Sequence, residues 1–245
     1  MKRFLSIDYD YFQTPSKEII QGCYPDGIDL PTSTSNIVWG LKYAEFDKQL
    51  RSVDLNWDEI EMAQQIFLNQ KPDIPVMVAQ SHINAYDFVF DHLKENEKIV
   101  LVNVDMHHDY FNDNEELDCG NWIRKISEKI EDKLKWLWIA NPVGLECYGF
   151  SKEDTEGIIL KTLADIKDKT FDGIFLCRSD QWSPPHLDYG FTELLYTLSG
   201  HFDNVLVQQG ILKPRTEDVI KIAAQMKTVQ DRQLHTEKGD DYGKE

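Results

Sequence analysis

The chain has 245 residues, 41% of them hydrophobic, with a formal net charge of −17. That length supports one large α/β domain with a substantial core, and there is no polar low-complexity tract that would point to a disordered chain. A field of this sign repels nucleic acid and anionic membrane and attracts metal ions and basic substrates; acidity that serves solubility alone is the plainer alternative.

In chain order, residues 3–7 form the first short apolar run, "RFLSI", and read as a buried strand. Residues 13–34 are rich in turn-forming types and read as a loop or lid. "NWDEIEMAQQIFLNQ" (56–70) is a helical pattern that opens on Asn56 as N-cap, with acidic residues in its first turn. A strand at 74–79, a helix at 83–96, a strand at 98–104, a helix at 120–133 and a strand at 134–140 follow. The pattern ends with strands at 173–178 and 204–208 and helices at 191–200 and 215–227. The strands lack strict alternation, as strands covered on both faces do. Alternating strands and helices predict a three-layer α/β/α sandwich around a mostly parallel sheet. One catalytic domain is expected over 1–228, with a polar, disordered tail at 229–245.

Cys23, Cys119, Cys147 and Cys177 are widely spaced, with no CxxC pair, which fits reduced thiols in a cytoplasmic protein. The apolar run before Asp8 is too short for a signal peptide, and no stretch is apolar and long enough to span a bilayer.

In sheets of this kind ligands bind at the carboxyl ends of the strands. Three of those ends carry unusual chemistry. "VDMHHDYF" places Asp105, His107 and Asp109 on one side of an extended chain and His108 on the other. Such a trio suits a divalent ion of the manganese, iron or zinc group; a charged, solvated loop is the alternative. "SIDYDYF" places Asp8 and Asp10 together, a repulsive pair unless a cation or proton lies between them. A turn capped by Asp10, or an aspartate-nucleophile phosphatase, reads equally from that motif alone. His82 follows the third strand end, where a single histidine is more often structural. Taken together, the six residues can hold two divalent ions, which in two-metal hydrolases sit ~3.5–4 Å apart.

The set of His, D-x-H-x-D and D-x-D resembles that of the ureohydrolases, the arginase and agmatinase group with a binuclear manganese centre. "SIDYDYF", "SHINAYDFV", "VNVDMHHDYF" and "GNWI" look closest to the peptide arginase branch, which converts arginine within a peptide to ornithine. The likeness runs through about Ile123, with "RSDQWSPP" (178–185) beyond it. It implies an arginase-like sheet of about eight strands and two Mn2+ ions. It also implies that Asp105 bridges the ions together with Asp8 or Asp10, Asp8 being favoured. His82 and Asp109 would complete one site, and His107 and Asp10 the other. Common ureohydrolases carry D-x-D late in the chain; its place at residues 8–10 implies a circular permutation.

Free-arginine arginases also carry a histidine about a dozen residues after D-x-H-x-D. "CGNWI" has none, which leaves His108, His186 or the attacking water to move the proton. Asp180 is the candidate partner for the substrate guanidinium, against a role as a turn-capping aspartate. Asn121, Trp122 and His186 are candidates for the mouth of the site, against plain packing roles. The expected partner is an arginine-containing peptide, with neither nucleic acid nor membrane; a homo-oligomer is compatible with the sequence. An arginase-fold hydrolase of a small guanidino or acylated amine substrate, a single-ion deacetylase-like hydrolase and a non-catalytic metal-binding module remain the competing readings.

Overall fold

A computed structural model describes residues 1–27, 29–111, 114–149, 158–160, 162–218 and 220–223. In chain order these form β1 (Lys2–Asp8), α1 (Lys17–Cys23), α2 (Thr32–Leu50), α3 (Trp57–Leu68) and β2 (Val76–Ala79). Then come α4 (Asn84–Asp91), β3 (Ile99–Asp105), α5 (Trp122–Ile130), β4 (Leu134–Ala140) and α6 (Pro142–Tyr148). β5 (Ile158–Leu160), β6 (Gly173–Cys177), α7 (Asp188–His201) and β7 (Val205–Val207) complete the set. The tail expected at 229–245, and part of the helix expected at 215–227, lie outside the described residues.

The strands form one sheet in the order β5-β4-β3-β1-β6-β2-β7, and every pairing is parallel. The described residues thus give seven strands where about eight were expected. β1 lies in the middle, with Phe4 paired to Leu101 of β3 on one side and to Gly173 of β6 on the other. Side chains alternate between two apolar clusters. Leu5, Ile7, Val102, Val104, Ile174 and Leu176 meet residues of α2, α3 and α7. Phe4, Ile99, Leu101, Phe175 and Cys177 meet residues of α4 and α5. Along that second face both central strands turn polar toward their carboxyl ends. Phe4 gives way to Ser6 and Asp8, and Leu101 to Asn103 and Asp105, all buried. No helix among the described residues is long and apolar enough to cross a membrane.

The expected loop at 13–34 is a correction. It contains α1, whose N-cap Ser16 accepts the Ile19 amide, and the start of α2. α2 was hard to foresee because its apolar residues form no clean stripe, Gly40 sits inside it and the backbone kinks at Phe46. It is nonetheless central, since Trp39 is fully buried and donates its indole N–H to the Asp180 carbonyl at 2.9 Å.

Asn141 ties the strand ends together. Its side chain caps α6 by accepting from Val143 and Gly144, and its amide donates to the carbonyls of Tyr11 at 2.7 Å and Gln13 at 2.9 Å. α6 therefore lies hard against the turn that follows β3. A Cβ on Gly144 would sit 2.1 Å from the Met106 carbonyl oxygen. Gly144→Ala should destabilise the fold by ~1–3 kcal/mol, read as a lower denaturation midpoint at unchanged slope. An unchanged midpoint would mean that α6 is free to move away.

Candidate metal centre

β1 ends at Asp8, and the next four residues, Tyr9–Phe12, wind into a 3-10 turn. Asp8 caps that turn by accepting the Asp10 amide at 3.1 Å, so the turn, rather than strand alternation, returns Asp10 beside Asp8. β3 likewise stops at Asp105, whose Oδ1 accepts the His107 amide at 2.7 Å. Asp109 then takes a left-handed conformation at φ 55°, which aspartate tolerates better than most residues. Two tight turns thus supply what extended chains were expected to supply.

The result is a convergence of all six expected residues. His82 Nδ1 lies 3.2 Å from Asp8 Oδ2, 3.0 Å from Asp105 Oδ2 and 3.0 Å from Asp109 Oδ2. His107 Nδ1 lies 3.1 Å from Asp10 Oδ2 and 3.6 Å from Asp105 Oδ1. Each oxygen of Asp105 therefore faces a different histidine. Two groups have ligand atoms close enough to hold one ion each: Asp8, His82 and Asp105, and Asp10, Asp105 and His107. None of the six is more than 9% exposed. Despite the short separations, His82 Nδ1 and Asp10 Oδ2 have no properly aligned hydrogen-bond partner. Atoms crowded together without hydrogen-bond geometry, yet aimed at a common point, fit a cation between them. Two divalent ions would also neutralise the four buried carboxylates.

A surrounding shell fixes the ligands. Ser6 Oγ lies 2.6 Å from His82 Nε2, which leaves Nδ1 to face the carboxylates. The His82 ring stacks on Phe175 and packs against Trp122. Trp122 Nε1 donates to Asp109 Oδ2 at 2.5 Å, Asn103 Nδ2 to Asp105 Oδ2 at 3.2 Å, and the Met106 amide to Asp10 Oδ1 at 3.2 Å.

A cavity of about 270 Å³ opens beside the cluster, lined by Asp8, His82, His107 and Asp109 and walled by Phe111, Tyr148 and Trp182. The residues expected to meet substrate are placed elsewhere. Asp180 is fully buried and already engaged: Arg178 donates Nε to its Oδ1 at 2.5 Å and Nη2 to its Oδ2 at 2.9 Å, and Thr32 donates at 2.6 Å. It is a structural anion with its own internal guanidinium. His186 bonds the Tyr43 hydroxyl and the Val53 carbonyl. His108 accepts the Tyr110 amide at Nδ1 and packs on Phe111 and Trp138; it does not line the cavity. Asn121, fully buried, staples its own loop through Asp118, Asn114 and Glu116. Trp122 is an orienting residue rather than part of a mouth.

Asp29, Cys119, Tyr148 and Trp182 also line the cavity, and none of them was expected to from the sequence. Their local patterns carried no periodicity or ligand spacing; "PDGID" signals only a turn. Comparison with protein-family models, curated proteins and solved structures finds no match.

Burial pushes the carboxyls of Asp8, Asp10 and Asp109 up to about 6, and neighbouring carboxylates add to it. Burial alone would lower His82 and His107, but the facing carboxylates override it and hold both well above the ordinary imidazole value. All five groups bind protons more tightly folded than unfolded. Their stabilising contribution is lost as pH rises, first between 3.8 and about 6 for the carboxyls, then above 6.5 for the imidazoles. The metal-free protein should melt at lower temperature at about pH 9 than at about pH 6. Manganese should raise the melting temperature most at the alkaline end, because it displaces those protons. A melting temperature that climbs over this window would contradict the assignment. Trp122→Phe keeps the packing and removes the donor to Asp109; manganese affinity should fall by about tenfold or more in a calorimetric titration.

Proposed function

We propose that the protein is a binuclear manganese hydrolase on an arginase-like, three-layer α/β/α domain, converting arginine residues of a peptide to ornithine with release of urea. The observation that carries this reading is the pair of buried Asp/His groups that share Asp105. Their residues are those of the ureohydrolase-like set, and the placement of β1 beside β3 lets the early D-x-D serve as the permuted ligand order requires. A single-ion hydrolase would need only one such group, and a phosphatase centred on Asp8 and Asp10 would have no use for the two histidines.

A bound pair of divalent ions supplies Lewis acidity and brings the pKa of a water toward ~7, which makes it a nucleophile at neutral pH. The chain's own residues do the rest. Asp8, Asp105 and His82, with Asp109 beside them, form one half of the cradle; Asp10, Asp105 and His107 form the other. Ser6, Asn103 and Trp122 keep the ligand atoms aimed inward. The acidic cavity gathers a cationic head, and Phe111, Tyr148 and Trp182 limit the water around it. Neither His108 nor His186 is among the described residues that line the cavity, which leaves the attacking water as the proposed source of the proton for the departing amine. No lysine or arginine among the described lining residues can pair with a free α-carboxylate, which favours an arginine inside a peptide.

Incubating the protein with manganese and an arginine-containing peptide should release urea and leave ornithine, detected colorimetrically and by mass spectrometry. Asp105→Ala should abolish both bound metal and urea. Persistent urea release by that variant would remove Asp105 from its shared role. Two bound ions with no urea from any arginine substrate would leave a metal-binding module in place of an enzyme.

A further inference from the structure

The cavity holds a carboxylate that the metal centre does not use. Four described aspartates line it: Asp8, Asp29, Asp109 and Asp118. Asp8 and Asp109 face His82. Asp118 has both oxygens occupied, accepting the Gly120 amide at Oδ1 and the Asn114 side chain at Oδ2, at 2.9 and 2.8 Å. Asp29 differs. Its Oδ1 is shielded from solvent yet has no hydrogen-bond partner. A carboxylate oxygen in that position costs free energy until a donor arrives, and a cationic donor gives the strongest return.

Asp29 comes from the connection between α1 and α2, and Cys119, in the loop before α5, lines the same cavity. Aromatic faces stand around the same space: Phe111, Tyr148 and Trp182. A planar, delocalised cation can stack on such faces while donating edge-on to a carboxylate; a compact ammonium uses only the second contact.

We propose that Asp29 is the specificity-determining carboxylate of the cavity, receiving the guanidinium head of the substrate while the aromatic walls flank its plane. The inference deepens the peptide-arginase reading and rests on it. It gives the role once expected of Asp180 to a residue from the segment between α1 and α2.

The test uses the manganese-loaded protein and two probes, N-acetyl-arginine amide and its neutral counterpart N-acetyl-citrulline amide. Affinity is read as Kd by calorimetry, or as KM where the first probe is turned over, and bound manganese is counted in parallel. Wild type should prefer the arginine probe by about tenfold or more. Asp29→Asn should weaken that probe by about tenfold, leave the citrulline probe unchanged and retain two ions; Asp29→Glu should recover part of the loss. The proposal is overturned if Asp29→Asn keeps the wild-type preference, if wild type shows none, or if the variant loses an ion, which would make Asp29 a ligand. Wild type that prefers arginine yet releases no urea, with the preference lost in Asp29→Asn, would sink the hydrolase reading while supporting Asp29 as the cation's partner.

Discussion

Four carboxylates and two imidazoles are packed into one small, buried volume at the carboxyl ends of the central strands. Charges of one sign at such separations repel strongly where water cannot screen them. Protons relieve part of the strain, which is why burial and mutual repulsion push three of the aspartates upward and the facing carboxylates raise both histidines. Cations relieve it better. Much of the surrounding architecture reads as a means of keeping these six side chains together: parallel strands ending side by side, turns that fold back at once, and α6 pressed on the turn after β3.

The framework was largely legible in the chain. β1, β2, β3, β4 and β6 each coincide with an apolar run, because a strand covered on both faces is apolar almost throughout, and the edge strand β7 does so although Leu206 is exposed. Asn56 does cap α3, accepting the Glu59 amide. β5 escaped because its three residues are too few to stand out. α1 and α2 escaped because polar and small residues interrupt them, and their stability comes from packing rather than from a visible stripe. The six candidate ligand residues were legible because each lies at or just after a strand end, where a parallel sheet presents its side chains to a ligand.

The substrate-side residues were not legible, for a physical reason. A ligand motif constrains residue types at fixed spacing, whereas a cavity wall is assembled from loops distant in the chain. Asp180 illustrates the trap. It follows β6 as a site residue should, but Arg178, two positions away, reaches it first and takes both oxygens. Arg215 closes over the same segment, donating to the carbonyls of Asp180 and Ser183. Asp29, within a turn-forming stretch, carried no cue of its own. Its place in the cavity wall emerges only in the folded chain.

The central place of β1 has a consequence for how the molecule forms. The strand needs β3 on one flank and β6 on the other, and both are encoded far downstream. During synthesis its apolar run and paired aspartates must wait, unsheltered, until most of the chain has emerged. Pairings of such long sequence separation are slow to close, so this topology favours late, cooperative assembly over stepwise growth from the amino end.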